Sequence, residues 1–231
     1  MIDNFLRPPR GPSELVADAL RGFGLFSVVF AFAFLDLTDA GIFAFTLPGL
    51  LLPRFIGIKA WPDIVFSVTL LVAAWSNILD LYTRIAWWDL VVHFACAGVL
   101  AVGCYLFLAR LRIVATPFTP RFTRRAGVVL TTAFGLALGA LWEMIEWFGY
   151  RFITPDIHVT YEDTIGDMAA GGLGAFFLGF VVAFVPLVRD SPSTLTSEPR
   201  TSKGESHFHY QRSSGRNGDP ASGRRRGVRS R

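Results

Sequence analysis

Six apolar runs, each close to the length that crosses a hydrocarbon core, constrain this chain more than any other feature: about residues 22–37, 40–57, 64–82, 89–110, 126–149 and 165–187. Roughly 20 apolar residues span a bilayer as a helix, and in lipid every backbone N–H and C=O must be satisfied within the segment. The expectation is an all-α, multi-pass transmembrane helix bundle. Asp36 and Asp39 interrupt residues 22–57, a stretch long for one span and tight for two, so six spans are expected, or five if that stretch forms a single helix. Composition agrees: 52% of the 231 residues are hydrophobic and 17% charged, and the mean hydropathy is +0.44, which disfavours a soluble domain.

The formal net charge of +4 belongs to one end of the chain. Residues 189–231 hold ten Lys/Arg against four Asp/Glu, and residues 1–188 hold twelve against fourteen. The three expected regions are therefore an N-terminal segment (1–21), a transmembrane helical domain (22–188) and a basic, Ser/Gly/Arg-rich tail (189–231) whose composition predicts disorder. Residues 1–21 lack the apolar core of a cleavable signal peptide, so the first run reads as a retained span. The loop "ARLRIVATPFTPRFTRR" carries Arg110, Arg112, Arg121, Arg124 and Arg125 with no acidic residue, which makes it cytoplasmic by the positive-inside rule. Threading outward from it puts both termini in the cytoplasm of a cell (inner) membrane, with "DLTDA", "LDLYTRIAWWD" and "ITPDIHVTYED" outside. Trp87, Trp88, Trp142 and Trp147 then sit at the outer interface and Trp61 at the inner one. The partner expected throughout is the lipid bilayer; the tail can attract anionic lipid headgroups, and no nucleic-acid partner is expected. Cys96 and Cys104, eight residues apart on one expected helix, are separated by a rise of about 12 Å, beyond disulfide reach.

The chemistry-bearing residues gather on the outer side. Asp89 and His93 are one helical turn apart, as are Asp163 and Asp167, while Glu143 and Glu146 share a face through i, i+3 spacing. The topology came from arginine positions alone, so this convergence is independent of it. Charged groups within spans cost about 2.5–3.5 kcal/mol each on insertion scales and tend to face the bundle interior. Five carboxylates crowded together would repel one another unless a cation, an arginine or shared protons compensated. Oxygen ligands with one imidazole suit a hard or borderline divalent metal, for which the candidate ligands are His93, Glu143, Glu146, Asp163 and Asp167. Simpler roles compete. Asp163 or Thr164 could be the N-cap of the last helix, with Asp167 complementing its dipole, and Asp89 could be a wetted first-turn residue. Glu143 and Glu146 lie towards a helix C-terminus, where the dipole disfavours negative charge, so capping does not account for them. Gly135, Gly139, Gly171, Gly172, Gly174 and Gly179 read as helix packing, and Arg151, Asp156 and His158 as an outer loop.

"NILDLY" followed by "DLVVHF", then "WEMIEW", then "EDTIGDMAAGGLGA" resembles, over about residues 64–185, the YjdF-like membrane proteins of DUF family 2238. The resemblance implies shared polar positions at Asn77, Tyr82, Asp89, His93, Glu143, Glu146, Asp163 and Asp167, and some members carry a further acidic residue where this chain has Gly171. It supports the architecture and the site and names no reaction. A looser similarity to VanZ-like membrane proteins points to a cell-envelope context.

Three functions are compatible with these residues. The first is a polar site that holds a divalent cation or a proton network, with Asp89 orienting His93 and, if enzymatic, a metal activating water against a lipid-linked or envelope substrate. The second is proton- or cation-coupled transport, against which stands the position of every candidate near one face. The third is a non-catalytic structural, headgroup-binding or partner-binding protein. Oligomeric state is not written in the sequence.

Overall fold

The computed structural model describes residues 1–154, 157 and 159–189. The basic tail from Asp190 onward, Asp156 and His158 lie outside the described residues, and with them the expectations placed on them. Eight helices form among the described residues: α1 (Ile2–Leu6), α2 (Pro12–Phe34), α3 (Leu37–Ile56), α4 (Ala60–Ile78), α5 (Leu81–Arg84), α6 (Trp88–Arg110), α7 (Arg124–Phe152) and α8 (Tyr161–Phe184). Six of them (α2, α3, α4, α6, α7 and α8) are long and apolar enough to cross a membrane.

The ambiguous stretch 22–57 forms two helices. Leu35 is extended, and Asp36 caps α3 by accepting a hydrogen bond from the Asp39 N–H at 2.8 Å. The two acids that interrupt the apolar run thus build the start of a helix, and the five-span alternative falls away.

α2 begins at Pro12, well before the apolar run that starts at about 22, so the expected N-terminal segment is largely helical. Proline suits a first helical position because its missing N–H would have no intrahelical acceptor there. The charges that hid this extension from hydropathy are paired across helices. Arg21 grips both oxygens of Asp63 on α4 at 2.6 and 2.7 Å, reaches Asp18 at 2.9 Å and donates through Nε to the Leu50 carbonyl of α3. Arg54 lies 3.4 Å from Asp18, and Arg7 lies 2.7 Å from Glu14. Asp63 is 1% exposed, so this network ties α2, α3 and α4 together without contact with solvent at its centre.

Contacts between turns sort the helix ends into two groups. At one end, Arg110 donates to the Ile56 carbonyl, Lys59 N–H to Leu187, Arg189 N–H to Gly57 and the Asn4 amide to Phe55 and Ile56. This basic end gathers the residue 57–59 turn, the 111–123 loop and the chain after α8. At the other, acidic end, Asn77 donates to Asp39 at 3.0 Å and Trp88 to the Ser76 hydroxyl at 2.9 Å. The grouping follows the alternation expected from the arginine-rich loop. Trp87, Trp142 and Trp147 are exposed at the acidic end and Trp61 at the basic end.

α6, α7 and α8 pack through small residues. A Cβ on Gly174 would lie 1.9 Å from the Phe94 carbonyl oxygen, one on Gly98 would lie 3.1 Å from the Gly174 backbone, and one on Gly135 would lie 2.1 Å from Ala175 Cβ. Such close approach is the established use of small residues between membrane helices. Gly139 departs from the packing expectation, having nothing within 4 Å of its Cβ position. Cys96 and Cys104 are both free thiols.

Candidate functional site

α6, α7 and α8 bring their polar residues together at the acidic end. Asp89 and His93 come from the first two turns of α6, Glu143 and Glu146 from α7, and Asp167 from the second turn of α8. Asp167 reaches His93 because Gly171 and Gly174 continue its face of α8 one and two turns further in, where they let α8 rest on the α6 backbone. A Gly171 Cβ would stand 2.9 Å from Ala97 Cβ and 3.6 Å from the His93 carbonyl oxygen. Any larger side chain at this position, an acidic one included, would therefore need the two helices to separate.

His93 is the centre. Its Nε2 lies 3.4 Å from Asp89 Oδ1 and 3.8 Å from Asp167 Oδ2, and its Nδ1 lies 3.9 Å from Glu143 Oε1. The side chains of His93, Glu143 and Asp167 are 10%, 8% and 3% exposed, and that of Asp89 is 35% exposed, which makes Asp89 the mouth of the site. Two overlapping sets place one ligand atom per residue within 4.8 Å of one another: Asp89, His93 and Asp167, and His93, Glu143 and Glu146. At 3.4 Å Asp89 makes a long hydrogen bond to Nε2, while the 3.8 and 3.9 Å separations from Asp167 and Glu143 are too wide for direct hydrogen bonds and leave room for an ion or a water between the atoms. Among the described residues no Lys or Arg pairs with any of these four carboxylates, so no arginine compensates their charge there and His93 is the one basic side chain beside them. Glu143 Oε1 is buried and has no hydrogen-bond partner among the described residues.

The remaining expected residues fall in different places. Thr164, at the start of α8, lies beside the Glu143 carboxylate. It is not the cap of α8; nor is Asp163. That role belongs to Thr160, whose hydroxyl accepts from the Asp163 N–H. Asp163 lies near enough to repel Glu143 and Asp167 yet belongs to neither ligand set, so it drops out of the metal ligands expected from sequence. Asp89, expected to act only by orienting His93, stands within ligand distance itself. Tyr82, on α5 outside the spans, is close enough to Asp89 and Glu146 to be coupled to both, and burial pushes its hydroxyl above the ordinary value. Its hydroxyl donates to the Ala73 carbonyl at 3.0 Å. Asn77 faces Asp39 and takes no part in the site.

α7 continues to Phe152, so Glu143 and Glu146 stand inside the helix rather than in its last turn, where dipole effects are felt. What singles them out is enclosure against His93. Sequence reasoning did not single out Arg21, Asp18, Arg54 and Asp63 at the basic end. The available signal was a set of charges at the edges of apolar runs that the topology placed on one side.

The family model for DUF2238, described as a predicted membrane protein, matches residues 23–187. The chain belongs to this family. The match takes in α3 to α8 whole and all but the first half of α2, and so contains every residue of the site. No curated protein and no solved structure matches the chain, and the VanZ-like similarity gains no support.

Proposed function

We propose that this DUF2238 protein binds a divalent cation in a site closed by α6, α7 and α8, with His93 Nδ1, Glu143 and Glu146 as the protein ligands. The observation that carries this reading is the convergence of four carboxyl groups on one imidazole, with a buried oxygen, Glu143 Oε1, lacking a hydrogen-bond partner among the described residues. Asp89 and Asp167 face the other imidazole nitrogen, where a carboxylate accepting Nε2–H fixes the ring and strengthens Nδ1 as a ligand. Thr164 lies beside Glu143. Mixed oxygen and imidazole donors suit a hard or borderline ion.

With the acidic end outermost, as the arginine distribution suggests, the site opens through Asp89 towards the outer surface of a cell membrane, and both termini are cytoplasmic. A cation there would polarise water or a phosphate-bearing group at the membrane surface. Transport through the site has less support, because inward of His93 the α6 and α8 backbones meet at Gly98 and Gly174. The buried charges at the basic end belong to α2, α3 and α4 and not to the helices of the site.

The test is thermal unfolding of detergent-purified protein titrated with Mn²⁺, Zn²⁺ and Ca²⁺. A ligand at 100 times its Kd stabilises the folded state by about 2.7 kcal/mol. At least one ion is expected to raise the Tm of the wild type and leave Glu143→Gln/Glu146→Gln unmoved; equal shifts in both, or none in the wild type, reject the reading.

A further inference from the structure

The second feature lies at the basic end, away from the candidate metal site. Ile2 of α1, Pro48, Leu51, Leu52 and Phe55 of α3, and Phe107 of α6 line an open groove of about 520 Å³ whose walls are almost wholly apolar. α1 forms one wall and is held there by Phe5, which stacks on Phe55 with ring centroids 4.4 Å apart. The α1 connection is reinforced by the Asn4 amide on the Phe55 and Ile56 carbonyls.

Arg110 stands beside the wall of this groove, whose lining also takes in Met1. Arg110 follows Phe107 by three residues on α6, and its Nε donates to the Ile56 carbonyl at 2.8 Å, next to Phe55 in the groove wall. That bond fixes the guanidinium beside the groove and leaves both Nη groups without an acceptor or an ion pair among the described residues, on an exposed residue. The neighbouring arginines differ. Arg7 and Arg189 pair with Glu14, Arg54 with Asp18, and Arg21 with Asp63 and Asp18. Among the described residues four arginines here share three carboxylates, Glu14, Asp18 and Asp63, and Arg110 adds to that excess; Asp3 on α1 is the further carboxylate at this end and forms no ion pair. An apolar slot with an oriented guanidinium beside it, unpaired among the described residues, has the chemistry of a phospholipid: an acyl chain for the slot and a phosphate for the fork.

We infer that the groove between α1, α3 and α6 binds one anionic phospholipid, its acyl chain against Leu51, Leu52 and Phe55 and its phosphate on Arg110. Net negative headgroups are favoured over zwitterionic ones because the surplus arginine charge has no counter-ion of its own. A lipid held here would clamp α1 onto the transmembrane bundle.

The experiment is native mass spectrometry of the full chain, purified in detergent and incubated with dioleoyl-phosphatidylglycerol or dioleoyl-phosphatidylcholine. Wild type is expected to retain one phosphatidylglycerol at least fivefold more than phosphatidylcholine. Arg110→Gln should lower retention to the phosphatidylcholine level, and Arg110→Lys, which keeps the charge, should hold at least half. Leu51→Trp fills the groove from a residue outside the buried core clusters and should lose retention with Arg110 intact. Equal retention of the two lipids by wild type overturns the inference, with no variant needed. So do unchanged retention in Arg110→Gln or Leu51→Trp and a loss in Arg110→Lys as deep as in Arg110→Gln, the last showing that only the bond to Ile56 matters.

Discussion

Replacing Gly174 with alanine tests whether the candidate site depends on the close approach of α6 and α8. The added Cβ would sit 1.9 Å from the Phe94 carbonyl oxygen and 2.7 Å from its carbon, both backbone atoms that cannot rotate away. Reaching the 3.4 Å at which ordinary contact begins requires a relative shift of about 1.5 Å. Overpacking of this kind costs about 1–3 kcal/mol, and alanine returns up to about 1 kcal/mol in helix propensity. A clash this short against backbone falls in the upper part of that range, about 2–3 kcal/mol, so the net loss is about 1–2 kcal/mol, a drop in Tm of about 2–8 °C. Asp167 lies seven residues from Gly174 on the same helix, so the shift also lengthens the 3.8 Å approach of Asp167 to His93. The assay is thermal unfolding of detergent-purified protein beside Gly139→Ala, where nothing lies within 4 Å of the new methyl group. Gly174→Ala melting within 1 °C of wild type, or no lower than Gly139→Ala, would refute the packing argument.

Other substitutions probe different parts of the account. Asp63→Asn leaves Arg21 buried without its main partner and should cost about 3–5 kcal/mol, whereas Arg21→Met/Asp63→Leu, which removes both charges, should recover most of it in the same melting assay. Thr160→Ala removes the α8 cap and should cost about 1 kcal/mol, a Tm drop of about 2–4 °C, with the Asp163→Ala change showing no capping loss. Asp89→Asn weakens the carboxylate facing His93 Nε2 and should reduce divalent-ion affinity by about 10- to 100-fold without abolishing binding, measured by calorimetric titration.

Much of this was legible in the sequence because membrane helices announce themselves by length and hydropathy, and because arginines mark one end of the bundle independently of the acids. The division of residues 22–57 turned on Asp36, which reads as an interruption by hydropathy and as a cap by backbone chemistry. The early start of α2 was hidden since Glu14, Asp18 and Arg21 look like a soluble segment until their partners Arg7, Arg54 and Asp63 are known. Helical spacing placed Asp89 with His93 and Glu143 with Glu146, but spacing along one helix says nothing of what faces it. Asp167 joins them through glycines on α8, Asp163 stays outside the ligand sets, and Asn77 turns to Asp39.

Whether His93, Glu143 and Glu146 hold a cation is decided by the metal content of the detergent-purified protein, read by elemental analysis of wild type beside Glu143→Gln/Glu146→Gln. The account predicts close to one divalent ion per chain in the wild type and a loss of most of it in the double variant, with the variant still monodisperse. Metal absent from wild type even after equilibration with the ions and gentle washing, or equal amounts in both proteins, would contradict it.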